Sequence, residues 1–516
     1  MRVGKLSTKP ALALVQRQVA GMPGIPIRLL HSSLRMHGVN SPREISPEWL
    51  RRIIETATEP PKLYAWTPKN LLAGGGTEPR SSQRSRTRTR TDGLDDDERR
   101  RIYILGVGNL GRLYAMCLSK HVDRPPITLV VHRKELLELW AADPGIELTR
   151  QGQVHRNADF DIEWWTDAAP GGNDVAEVAA GRNIGNLIVA TKASDAMPQV
   201  DKVRRYLGSN STVAFVQNGM WCVLKPLVPN PLVSLSPVIS RSRLTCFDTS
   251  SKLWPPIGDV YARARFADGP NWIACVTTHG VTSEGPFKST HAAPANALVG
   301  PVVTPSGVGE EQVGYLIRMI ADAPDLDARE VSRKQLWVAQ LEKLVVNAVI
   351  NPLTAVLRCK NGEIFTARDD AIPVIIDRLL NEASETLCAL VLSSKSDELL
   401  VSKSTGKGAT SNHQSAESLR ASREELLERF SFPRLRSMIL DVAAKVSANT
   451  SSMLQDVRAG KPTEIDDFNG WLVDTARLLD KGLQLPTHEK LIALVKVNAM
   501  LTRGELCAKL LEENHR

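Results

Sequence analysis

Three polar side chains stand in an otherwise apolar stretch, "WVAQLEKLVVNAVINPLTAVL": Lys343, Asn347 and Asn351, at i, i+4 and i+8. That spacing puts them on one face of a helix, a turn apart each time. A buried lysine needs a partner or a function, because an unpaired ammonium is costly to desolvate. Enclosure also lowers an ammonium pKa toward neutrality. The structural alternative is a snorkelling lysine with two asparagines that cap a neighbouring loop. Pro352 is expected to end or kink the helix after Asn351. Further on, "NTSSMLQDVRAGKPTEIDDFNGWLV" sets Asn449, Ser452 and Glu464 around a polar turn at 460–462. Alone, these residues read as loop surface.

A second stretch has the spacing of a dinucleotide site. "RIYILGVGNLGRLYAMCLSK", residues 101–120, has an apolar run followed by Gly106, Gly108 and Gly111 in G-x-G-x-x-G spacing. The first glycine allows the tight turn, the second lets the backbone approach a pyrophosphate, and the third lets helix pack close on strand. The helix that starts at Asn109 and Leu110 offers free N–H groups to phosphates. A second strand, "ITLVVHR" at 127–133, follows at the spacing of a β-α-β unit. It ends in His132, Arg133 and Lys134, where a carboxylate would bind the ribose hydroxyl of NAD. A guanidinium pairs with a 2′-phosphate and a carboxylate repels it, so Arg133 favours NADP, a solvated strand end being the alternative. "NLIVATK" and "TVAFVQN" read as further strands that end in Lys192 and Asn218. In a doubly wound sheet, ligands lie beyond such strand ends, so both residues are placed to face the cofactor.

The rest of the chain bounds these readings. Its 516 residues allow two or three domains, and 42% hydrophobic with 24% charged residues is ordinary globular composition. Seven scattered cysteines without C-x-x-C suggest neither a zinc knuckle nor a redox pair. No apolar run approaches the length of a membrane span. The first acid is Glu44, so residues 1–45 are basic, serine-containing and almost acid-free, the composition of a mitochondrial transit peptide. A basic tail on a cytoplasmic protein is the alternative. Residues 46–99 include Gly74–Gly76, alternating arginines and Asp95–Asp97, and read as a disordered basic and acidic linker. No aromatic residue is interleaved with those arginines, which argues against nucleic acid. The segment 47–57 has a weak helical pattern of unassigned role.

The glycine loop, "TKASDA", "VQNGM", "VTTHGVTSEGPF", "EKLVVNAVINPLTA" with "CKNGE" after it, and "NTSSMLQDVRAGKPTEIDDFNG" occur in that order. Together they resemble the ketopantoate reductase (2-dehydropantoate 2-reductase) family over roughly residues 101–500. The resemblance implies an α/β protein. An N-terminal Rossmann-type doubly wound sheet, 100–325, is followed by an all-helical C-terminal domain, 326–516, like that of 6-phosphogluconate dehydrogenase. It implies NADPH-dependent reduction of 2-dehydropantoate to pantoate on the way to pantothenate and coenzyme A. Carried over by residue, Lys343 is the catalytic lysine, and Asn347, Asn351, Asn449 and Ser452 bind substrate. Glu464 is the acid at the far side of the site, in a substrate-orienting and catalytic role. Asn218 lies near nicotinamide and substrate, Lys192 lies beside the cofactor, and Arg133 reads the 2′-phosphate.

The chain departs from that pattern in its first hundred residues and in apparent insertions at 247–270 and 394–422, the second of which looks disordered. Two rival readings stand beside the first. One is a reductase of another 2-keto acid on the same architecture. The other is a non-catalytic Rossmann protein that binds RNA or a partner in mitochondria, which would not need to keep Lys343, Asn347, Ser452 and Glu464 together. A small-molecule keto acid is the expected partner, no metal site is expected, and a homodimer is compatible with a sequence that does not fix oligomeric state.

Overall fold

A computed structural model describes residues 59–72, 93–171, 174–218, 269–303, 310–401, 412–479 and 482–511. In chain order the strands are β1 (Tyr64–Trp66), β2 (Ile102–Leu105), β3 (Ile127–Val131), β4 (Ile146–Arg150), β5 (Gln153–Asn157), β6 (Asp161–Thr166), β7 (Asn186–Val189), β8 (Thr212–Phe215), β9 (Asn271–Thr277), β10 (Gly280–Gly285), β11 (Lys288–Ala293), β12 (Ala297–Val303) and β13 (Ala328–Glu330). Six of them form a parallel core in the order β6-β3-β2-β7-β8-β9. This is the dinucleotide-binding order, with the chain reversing direction across the sheet between β2 and β7. These strands are near-continuous apolar runs because helices cover both faces. Every residue of β2, β3, β7 and β8 is buried. β12 and β13 extend the sheet beyond β9, and a small second sheet runs β10-β11-β4-β5.

The far edge corrects the linker expected at 46–99. β1 pairs antiparallel with β6, and Leu63 and Ala65 are buried while Tyr64 and Trp66 are partly exposed. The period-2 pattern in "KLYAW" is the physical reason, since it lets one face of a short strand join the core. Trp66 lies against Trp164 with ring centroids 6.2 Å apart, and the Leu63 N–H donates to the Tyr206 hydroxyl at 2.8 Å. Short helices follow at Pro68–Leu72 and Gly93–Arg100, the second also within the expected linker. Residues 1–45 and 47–57 lie outside the described residues.

The boundary expected at 326 moves to Ser332. β13 still belongs to the first sheet, and Ser332 then caps a 25-residue helix, Arg333–Leu357, in a capping box with Gln335. That helix is the axis of the second domain. Its apolar residues form a separate core with the helices Ile372–Leu392, Phe432–Lys445, Trp471–Leu479 and Pro486–Lys496. Proline 352 neither ends nor interrupts it. Proline has no N–H, so the carbonyl four residues earlier, Ala348, loses its helical donor. The Asn469 side-chain amide supplies the donor at 2.9 Å instead. The insertion near 394–422, expected to be disordered, is helical over Asp397–Leu400 and from Asn412 into Arg429, because Leu399 and Leu400 are buried in the helical core. Residues 402–411, and nearly all of the 247–270 insertion, lie outside the described residues.

Candidate active site

Lys343 lies on the long helix and faces the carboxyl ends of β8 and β9. Its Nζ donates to Asn218 Oδ1 at 2.7 Å and to the Thr277 carbonyl. Both acceptors are uncharged, and no carboxylate pairs directly with Lys343 among the described residues. Burial therefore dominates and brings its pKa down to about 8, while the negative charge of Glu464 acts in the opposite direction. An ammonium at about 8 is protonated at neutral pH yet gives up its proton readily.

One and two turns on, Asn347 and Asn351 share its face, as the spacing required. Asn351 is 7% exposed. Its amide lies 3.4 Å from Ser452 Oγ and 3.5 Å from Asn347 Oδ1. The Asn347 amide nitrogen is buried without a partner among the described residues. A buried donor left unpaired in a polar cleft is a place for a ligand oxygen. Ser452 begins the helix Ser452–Arg458, whose cap is Ser451. Ser451 Oγ accepts from the Leu454 N–H and lies 2.7 Å from Thr354 Oγ1, which ties this helix to the long one. Asn449 is fixed through its backbone carbonyl, which accepts from the Asn361 N–H at 3.0 Å. Asn361 is a candidate that sequence reasoning missed. It is 6% exposed with Oδ1 buried and unpartnered, and its only sequence signal was its place in "CKNGE".

Glu464 stands on the other side of the cleft, 8% exposed. Its Oε1 accepts from the Ala193 N–H at 3.1 Å, and Oε2 has no hydrogen-bond partner among the described residues. Burial pushes its pKa up, and the Ala193 bond and the nearby Lys192 charge work against that. Lys192, expected to face the cofactor, reaches the second domain, pairing with Asp456 at 2.9 Å and donating to the Pro462 carbonyl at 2.5 Å.

The glycine loop forms the crevice between β2 and β7. Gly106 has φ +99°, and a Cβ on Gly111 would fall 2.1 Å from the Gly106 carbonyl oxygen, so a side chain there would break the turn. A Cβ on Gly108 would come no nearer than 4.0 Å to Ala190, which leaves its outward side open. The helix Asn109–Leu118 has no side-chain cap. An open, uncapped helix start beside glycine fits a pyrophosphate. The Asn109 side chain is used elsewhere, donating to the Val281 carbonyl at 3.1 Å and accepting from Ser289 Oγ at 3.3 Å. Only its backbone N–H is left for a phosphate, while Leu110 is partly buried against the core. Arg133 stands at the start of the next helix without a side-chain capping bond, is exposed, and has no ion pair among the described residues. A cavity of about 340 Å³ lies away from all of this, between Arg329 and Arg429, where Lys334 pairs with Glu425 and Arg429 with Glu342.

A dinucleotide crevice on one wall and a lysine with polar side chains on the other define a two-domain Rossmann oxidoreductase. Residues 102–227 match the model of "Ketopantoate reductase PanE/ApbA", and residues 335–499 match that of its C-terminal domain. The chain belongs to the ketopantoate reductase family. It is 39% identical over 481 residues to "Ketoisovalerate reductase BEA2" of Gibberella fujikuroi, covering 90% of this chain and 99% of that one. It is 26% identical over 411 residues to "Probable 2-dehydropantoate 2-reductase" of Schizosaccharomyces pombe, covering 78% and 97%. A solved structure of D-mandelate dehydrogenase with NADH and anilino(oxo)acetate shares the fold, with a TM-score of 0.50 at 13% identity, over 77% of this chain and 97% of that one.

Proposed function

We propose that the protein reduces a branched 2-keto acid to the 2-hydroxy acid with NADPH, and that the acid is 2-ketoisovalerate. The observation that carries the chemistry is Lys343, desolvated, held by two neutral acceptors and brought to a pKa of about 8. The name of the Gibberella relative supports the choice of acid. The dinucleotide, when bound, supplies the hydride to the keto carbon. Lys343 delivers the proton to the oxygen, and its charge stabilises the alkoxide as it develops. Asn347, Asn351 and Ser452 orient the substrate carboxylate with neutral donors. Glu464 faces the switch point and suits a hydroxyl better than a carboxylate, which it would repel. Arg133 supports NADPH over NADH, because an exposed guanidinium stands just past β3, where NAD enzymes carry an acid.

A second reading, 2-dehydropantoate, is favoured by the unpartnered Oε2 of Glu464. That acid carries a hydroxyl that 2-ketoisovalerate lacks, and it could donate there. The two readings separate in one assay, NADPH oxidation by the full chain with both acids side by side. A site built around the hydroxyl would reject the acid without it by about 10⁴-fold in kcat/KM. A preference for 2-dehydropantoate above about 100-fold would sink the 2-ketoisovalerate reading. The acid-poor residues 1–45 support a mitochondrial address, which a reporter fusion tests directly: a full-length cytoplasmic reporter removes it.

A further inference from the structure

A lysine at the switch point of a dinucleotide sheet is placed beside the cofactor. Lys192 makes its contacts across the cleft. It pairs with Asp456, 2.9 Å away, and donates to the Pro462 carbonyl, 2.5 Å away, both in the second domain. The next N–H along, from Ala193 at the start of the helix Ala193–Lys202, holds the Glu464 carboxylate. All three acceptors belong to one stretch of nine residues, 456–464, which begins in the helix of Ser452 and ends in Glu464. Its ends are held by local backbone bonds, Lys461 N–H to the Asp456 carbonyl at one and Asp467 N–H to the Glu464 carbonyl at the other, and its middle is open. Residues 458–462 are exposed, and Gly460, at φ +62°, has open space around it. The Lys192–Asp456 pair is the firmer anchor, with the side chains 31% and 17% exposed, so water screens it less than a surface pair.

We propose that Asp456 is a positioning residue: by clamping Lys192 across the cleft it sets the 456–464 turn, and so Glu464, against the cofactor wall, and keto-acid binding depends on that clamp. The proposal rests on the reading of this cleft as the keto-acid site. It predicts that Lys192 acts on the keto acid through Asp456 rather than on the cofactor alone.

The test uses the full chain as Asp456→Asn, Lys192→Met, Lys192→Arg and the Asp456→Asn/Lys192→Met double variant. KM for the keto acid, kcat, NADPH affinity by fluorescence titration, and amide hydrogen exchange across 456–464 are measured on each. The expected result is a rise in keto-acid KM of about fivefold in Asp456→Asn and in Lys192→Met, the upper end for a partly shielded ion pair. NADPH affinity stays within about twofold, and Lys192→Arg recovers most of the loss. The double variant is no worse than the worse single one, because both remove one interaction. Exchange across 456–464 quickens while that of the Arg333–Leu357 helix does not. The clamp is overturned if exchange is unchanged in both single variants, if keto-acid KM is unchanged in Asp456→Asn, or if Lys192→Met weakens NADPH and adds to Asp456→Asn. If the unaltered chain turns over neither keto acid, the functional reading fails, and the exchange result still decides the clamp.

Discussion

The two domains meet at two lysines that reach in opposite directions. Lys343 leaves the helical domain for the sheet and finds an amide oxygen and a backbone carbonyl. Lys192 leaves the sheet for the helical domain and finds a carboxylate. The same side chain thereby does two kinds of work. Neutral acceptors orient an ammonium without repaying its lost hydration, so Lys343 becomes a proton donor near neutral pH. A carboxylate repays that loss, so Lys192 holds position. The contrast lies in the partner, not in the lysine.

The contrast breaks most decisively at Lys343. Lys343→Ala should lower kcat by about 10²–10⁴-fold, the usual worth of a positioned acid. NADPH should still bind, because the glycine crevice and Arg133 are in the other domain. Melting temperature and single-turnover hydride transfer, read on one preparation, distinguish this from a lysine that merely ties the helix down. Near-normal turnover per folded molecule would end the reading.

Two smaller effects test the two walls separately. Asn469→Leu leaves the Ala348 carbonyl without a donor beside Pro352, and should destabilise the fold by about 1–3 kcal/mol in urea titration. An unchanged midpoint would mean that the carbonyl does not need that amide. Arg133→Ala should weaken NADPH by about 1–3 kcal/mol and barely change NADH, the range for charge-assisted bonds. Equal losses for both cofactors would remove the 2′-phosphate assignment.

The smallest effect sharpens the electrostatics. Lys343 must be protonated to act, so kcat/KM should be level below a pH of about 8 and fall as pH rises through it. Glu464 holds that pKa up. Glu464→Gln removes the negative charge, so the alkaline limb should move to lower pH while keto-acid KM rises. A limb that stays in place would show that the two groups do not sense each other.

The sequence made the parallel core legible, because "RIYILGVG", "ITLVVHR", "NLIVATK" and "TVAFVQN" are short apolar runs at β-α-β spacing. The Lys343, Asn347 and Asn351 face was legible too, since helical spacing is a local property. What failed was non-local. The donor for Ala348 comes from Asn469, 121 residues away, so Pro352 read as a break. The pairing of Lys192 with Asp456 is likewise one that no local pattern connects. Three residues of β1 are too few for periodicity to outweigh the polar sequence around them. Asn361 lacked a signal for a different reason, since an unpaired buried oxygen is visible only once the burial is known.

That short strand has a consequence for the edge of the sheet. β6 would otherwise be the last strand of the sheet, with a free row of backbone donors and acceptors beside Trp164 and Trp165. Bare edges of this kind recruit other strands. The segment 59–72 supplies the missing neighbour from the same chain. A protein cut at residue 100 would keep every catalytic side chain, yet it would carry an adhesive seam and cluster with rising concentration.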